Sequence, residues 1–237
     1  HIRKAFTYAF DFETYIEDVF EGDAEKVPGP VPSTMKYFHD NLDPYEYNPA
    51  KAEEHFKKAW GGTVEDPGPV WENGFKVAIV TNEGADARVT GAQIWADGVE
   101  NINEDFTVNA ETLPWPNFLD AFTTRKAPIF ILGWTGDYND PNNFVVPFMS
   151  GGIFASTQGY SNSEADTLVQ EGMETVDTEE RDNIYRELQE IYVEDNPSFP
   201  LAAPVSFQFT RSWVKGWYHN PLTNDQVYAY PIYKSTE

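Results

Sequence analysis

The side chains that ordinarily carry catalysis are thinly spread in this sequence. There is no Cys, which excludes disulfides, Cys-ligated zinc, iron–sulfur clusters and thiol nucleophiles together. The four His residues, His1, His39, His55 and His219, stand at no metal-ligand spacing with one another. His55 falls on the polar helical stretch 51–59, where a solvated imidazole is expected. No Ser lies in a G-x-S-x-G elbow, and no glycine-rich loop matches a phosphate cradle. Hydrolytic and redox enzymes are therefore not expected, and neither a cofactor nor a bound metal is called for. Asp and Glu number 39, too many for any chosen pair to mark general acid–base chemistry. Runs such as Glu179-Glu180 read as solvated helix faces.

One stretch has the composition of a binding loop. Gly133-Trp134-Thr135-Gly136-Asp137-Tyr138-Asn139-Asp140-Pro141-Asn142-Asn143-Phe144 follows a strand-like apolar run. Trp134 offers a flat apolar surface, Asp137 a charge and Tyr138 an amphipathic neighbour. A carboxylate in such a place selects an ammonium group or a sugar hydroxyl. Gly, Asp, Asn and Pro also make ordinary turns, and an Asp in this setting is equally able to fold back on its own loop.

The elements that position this loop follow from periodicity. Residues 2–21 read as an amphipathic helix or helix pair, and residues 26–48 as a long ordered loop with many aromatic residues. Asn48-Pro49 opens a helix that Gly61-Gly62 stops. Strand, helix, strand, helix and strand then alternate over 75–81, 86–102, 106–113, 114–125 and 128–134. That alternation predicts an α/β fold with a mostly parallel central sheet and helices on both faces, the run 129–132 being the central strand. Two helices are expected at about 162–176 and 178–194, then one or two strands within 199–211. The last stretch, 212–237, is aromatic and Pro-punctuated with no helical period. In an open parallel sheet, ligands sit beyond the carboxyl ends of the strands, and the loop 133–144 leaves one of those ends.

The chain has 237 residues and a formal net charge of −23. The charge argues against nucleic acid and anionic membrane as partners. An apolar content of 41%, with 16% aromatic, is enough to build a core. No apolar run approaches the ~18 residues of a membrane span. The helical period is already under way at Ile2, Ala5 and Phe6, so the chain is expected to be a processed or truncated product.

Several stretches in order resemble family 5 extracellular solute-binding proteins, the peptide-binding components of ABC importers. They are Arg3-Lys4-Ala5-Phe6-Thr7-Tyr8-Ala9-Phe10-Asp11, Tyr47-Asn48-Pro49-Ala50-Lys51-Ala52, the loop 133–144, Tyr160-Ser161-Asn162, Asp177-Thr178-Glu179-Glu180-Arg181 and Val214-Lys215-Gly216-Trp217. The resemblance implies a lobe of the type II periplasmic-binding-protein kind that captures peptides outside the cytoplasm, periplasmic or attached to the cell surface, and delivers them to an ABC transporter permease. It implies a division into an α/β lobe at 1–211, with a helical start over 1–62 and a sheet core over about 73–211. Residues 212–237 would return to a first lobe that this chain lacks. The ligand's α-ammonium falls to Asp137 and a side-chain pocket to Trp134, with Tyr138 beside them. Some relatives add basic residues at places that here match Ile131 and Phe122, so short peptides held at both ends are not expected. An oligosaccharide-binding member of the family is the alternative, and a carboxylate-dependent hydrolase the third.

Overall fold

Several helices of this chain begin where a short polar side chain takes up the free amides of the first turn. Asp11 accepts from Thr14 N, Asn48 from Lys51 N, Asn162 from Glu164 N and Ala165 N, and Asp177 from Glu179 N and Glu180 N. The computed structural model describes residues 1–220 and 227–235. Its elements in chain order are α1 (Ile2–Tyr8), α2 (Phe12–Phe20), β1 (Ala24–Glu25), α3 (Pro49–Lys58), α4 (Pro69–Asn73), β2 (Phe75–Asn82), α5 (Asp86–Glu100), β3 (Phe106–Leu113), α6 (Trp115–Thr123) and β4 (Ile129–Phe130). They continue with α7 (Asn142–Met149), α8 (Ile153–Gln158), α9 (Ser163–Glu174), α10 (Thr178–Asp195), β5 (Ala203–Pro204), β6 (Val214–Lys215) and β7 (Tyr233–Lys234). The expected helix pair at 2–21, the helix after Asn48 and the strand–helix alternation from 75 onward are all present.

The main sheet is parallel, in the order β3-β2-β4. β2 pairs with β3 along its whole length, from Phe75↔Phe106 to Asn82↔Leu113, and with β4 at Ile79↔Ile129 and Val80↔Phe130. The central strand is therefore β2. The run 129–132 lies at the edge among the described residues, contrary to the pattern's expectation. The physical reason is that helices cover both faces there: Ile131 packs into one core, while Phe130 and Leu132 pack against another. Burial on two faces produces a continuous apolar run whether or not a strand has two neighbours.

Successive β2 side chains point to opposite faces. Ile79 enters the core formed with α1, α2, α3 and α5 (Phe6, Phe10, Phe56, Trp95), and Val80 enters the core under α6 (Phe118, Phe122, Phe154). Gly98 of α5 lies so close to the end of α1 that a Cβ there would stand 2.0 Å from the Ala9 carbonyl oxygen, so this approach requires glycine. A third core, built by α7, α9, α10 and the loop 26–48, contains Val31, Tyr37, Val145, Leu188 and Tyr192. That long loop is ordered as its aromatic content predicts: Tyr45 Oη donates to the Val193 carbonyl at 2.8 Å.

One further expectation is corrected, and one is met only by a short strand. The loop 133–144 ends early, because α7 starts at Asn142, with α8 following at Ile153. Turn-forming residues here serve as a helix start: Asn142 N donates to Asp140 Oδ1 at 2.9 Å. Within 199–211 the only pairing among the described residues is the two-residue β5, antiparallel to β1. Residues 221–226 and 236–237 of the C-terminal stretch lie outside the described residues.

Candidate functional site

The loop from Gly133 to Pro141 leaves the carboxyl end of β4 and is held by its own polar groups. Asp140 N and Asn143 Nδ2 both donate to the Tyr138 carbonyl, at 3.0 and 3.3 Å. Gly136 has no room for a side chain, since a Cβ there would stand 2.8 Å from the Phe144 ring. The Asp140 carboxylate is fully engaged: it accepts from Asn142 N and from Arg181 Nη2, the latter at 3.0 and 2.9 Å to its two oxygens. Arg181 Nε donates in turn to the Gly172 carbonyl at 2.8 Å, and its guanidinium lies over the rings of Tyr37 and Tyr185. Burial pushes the Tyr185 phenol up to about 12, so it remains a neutral neighbour of this cation across ordinary pH.

Asp137 is different. It is exposed, and it makes no side-chain hydrogen bond or ion pair among the described residues. The alternative in which this carboxylate folds back on its own loop is thus realised by Asp140 instead. Asp137 and Tyr138 together line a recess of about 380 Å³. Its other walls come from α7 (Val146, Pro147) and α9 (Val169, Met173), with Asp166 holding a hydrogen bond from Ser150 Oγ at 2.7 Å. Asn142 also lines it, and its Oδ1 is buried with no hydrogen-bond partner among the described residues. A carboxylate, an unmet amide oxygen and an apolar floor suit a cationic group on an apolar stem.

Trp134 stands apart from Asp137 and Tyr138. It is half-buried and does not line the recess; its ring meets Phe154 edge-on at 5.8 Å between centroids. Its Nε1–H donates to the Asn143 carbonyl at 2.9 Å. It packs against two of the cores at once, joining the helical core to the sheet. The structure therefore brings two of the three expected site residues together and gives the third a positioning task.

The residues α9 contributes to the recess carry no sequence signal, since they lie a whole helix away. Arg181 stands in a motif that marks a helix start, and only the fold shows it reaching Asp140. No group of three or more His, Cys, Asp or Glu side chains among the described residues is placed to hold a metal ion.

A sequence profile described as "Bacterial extracellular solute-binding proteins, family 5 Middle" matches residues 1–156. The chain belongs to this family. Among its curated relatives are heme-binding protein A of Haemophilus influenzae, 26% identical over 98% of this chain and 41% of the relative, and the dipeptide-binding protein of Escherichia coli, 26% identical over 93% and 40%. The solved structure of the ABC transporter-associated periplasmic binding protein DppA from Helicobacter pylori, in complex with the peptide STSA, superposes with a TM-score of 0.81 at 27% identity. It covers 99% of this chain and 44% of that one. The chain thus spans less than half the length of these relatives. The family 5 chain accordingly has the α/β fold of a periplasmic binding protein, and its relatives are binding proteins for solutes, several of them named for peptides.

Proposed function

We propose that this chain is the ligand-binding lobe of a two-lobed, extracytoplasmic solute-binding protein that captures peptides with a free amino terminus and delivers them to an ABC importer. The observation that carries the reading is the division of labour between two carboxylates of one loop. Asp140 is consumed by Arg181, while Asp137 is left exposed and, among the described residues, unpaired at the carboxyl end of the parallel sheet. In this reading Asp137 receives the ligand's α-ammonium, and closure of the complete protein removes water from the pair and strengthens it. Tyr138 forms part of the same wall, and Trp134 backs the loop through its packing on Phe154 and its bond to the Asn143 carbonyl. The task is capture: the two lobes close by a hinge, and ligand shifts the open–closed population.

The proposed division places the α/β lobe at 1–211 and a segment returning to the other lobe at 212–237. Large aromatic side chains near the chain's end stand exposed, Phe209 at 88% and Tyr230 at 89%, which supports a covering surface elsewhere in the polypeptide. The test is calorimetry on the full-length protein with one peptide in free and N-acetylated forms. A marked preference for the free amine is expected; equal affinities overturn the amine assignment.

A further inference from the structure

The recess beside Asp137 is a groove between two helices with a carboxylate at each end. One wall is α7, which opens at Asn142 and is closed by Ser150. Asp137 stands at the start of that wall, next to Tyr138, whose Oη accepts from Asn142 Nδ2 at 3.4 Å. Asp166 stands at its end, where Ser150 Oγ donates to Asp166 Oδ1. From Asn142 to Ser150 the helical rise amounts to about 12 Å. The middle of the groove is apolar. Val146 comes from α7, and Val169 and Met173 come from α9, on the same face as Asp166 by their i, i+3, i+7 spacing.

Neither Asp137 nor Asp166 is paired with a cation among the described residues. No described Lys or Arg lines the groove. Ser150 engages one oxygen of Asp166 and leaves the other without a hydrogen bond among the described residues. At the Asp137 end the Asn142 amide oxygen is buried without a donor among the described residues, an acceptor that an ammonium N–H satisfies. Two separated carboxylates with no counter-charge between them give the groove a negative field along its length. That field favours ammonium groups and repels carboxylates. The apolar middle accepts a hydrocarbon stem. A ligand with a single ammonium satisfies one end only; two ammonium groups joined by an apolar stem satisfy both. In a peptide, the pair is the α-ammonium and a lysine side chain. A lysine at the second residue adds roughly 3.5 Å of backbone to the reach of its stem, which carries its Nζ from the Asp137 end toward Asp166.

We propose that Asp166 forms a second cation subsite at the far end of this groove, so that the lobe selects peptides whose second residue is lysine. The proposal rests on the peptide reading above and deepens it by naming the substrate class. Trp134 takes no part, since it does not line the groove.

The test uses the full-length protein with two tripeptide probes, Ala-Lys-Ala and Ala-norleucine-Ala. Norleucine keeps the four-carbon stem and lacks the ammonium. Calorimetry compares the wild type with Asp166→Asn, which retains an acceptor for Ser150 Oγ, and with Asp166→Glu. The expected result is a wild-type preference for the lysine peptide of about tenfold or more. Asp166→Asn brings the lysine peptide down to the affinity of the norleucine peptide, and Asp166→Glu keeps part of the preference. No lysine preference in the wild type overturns the proposal, and so does an undiminished preference in Asp166→Asn. Equal weakening of both peptides, the mark of a purely structural role, also overturns it. Spermidine bound as tightly as Ala-Lys-Ala, and weakened alike by Asp166→Asn, overturns the peptide source of the second ammonium. N-acetyl-Ala-Lys-Ala reads Asp137 separately: unchanged affinity refutes the amine assignment while the lysine preference still tests Asp166. No binding of any tripeptide refutes both.

Discussion

Arg181 reaches back 41 residues to hold both carboxylate oxygens of Asp140, at 3.0 and 2.9 Å. The pair joins α10 to the loop that carries Asp137, and it is largely shielded from water. Its geometry occupies the Asp140 carboxylate and leaves the exposed Asp137 outside the pair.

Breaking this clasp separates loop order from ligand chemistry. Asp140→Ala is expected to destabilise the full-length protein by about 1–3 kcal/mol, because it strands a partly buried guanidinium. It should weaken free and N-acetylated peptides by the same factor. Chemical denaturation with paired calorimetry checks both effects; a selective loss against the free amine would transfer the amine contact to Asp140.

Trp134 is expected to act through packing. Trp134→Phe removes the Nε1–H bond to Asn143 and should cost about 1 kcal/mol of stability. Trp134→Ala opens a space between two cores and should cost about 3–5 kcal/mol. Urea unfolding of both variants measures these steps; costs near zero would show that the ring is not part of the packed interior.

Alkaline stability should report on Tyr45. Burial pushes its phenol up to about 12, while it donates to the Val193 carbonyl. The folded value lies above the unfolded value of about 10, so the contribution is fully present below ~pH 10 and is lost as pH rises toward ~pH 12. Tyr45→Phe should make the fall of stability over that window shallower. Melting temperatures across the window check this, and an unchanged slope contradicts it.

Periodicity made most of the framework legible. The parallel β2, α5, β3 and α6 stand where apolar spacing puts them, and Asn48 and Asp177 cap the helices they are expected to cap. Strand order escaped, since Ile129–Leu132 is apolar for reasons shared by central and covered edge strands. The α7 start escaped because Asp140 and Asn142 serve turns and helix starts alike. At the site, residue type and position singled out Trp134, Asp137 and Tyr138, of which Asp137 and Tyr138 line the recess. That Asp140 is held by Arg181 was not legible, because the contact joins elements distant in sequence, which no local pattern encodes.

The central claim is that Asp137 receives a ligand ammonium. It is tested most directly by a thermodynamic cycle on the full-length protein, crossing wild type and Asp137→Asn with one peptide in free and N-acetylated forms. The expected coupling between the two changes is about 2–4 kcal/mol, with the acetylated peptide binding both proteins alike. A coupling near zero, the two changes simply adding, would contradict it.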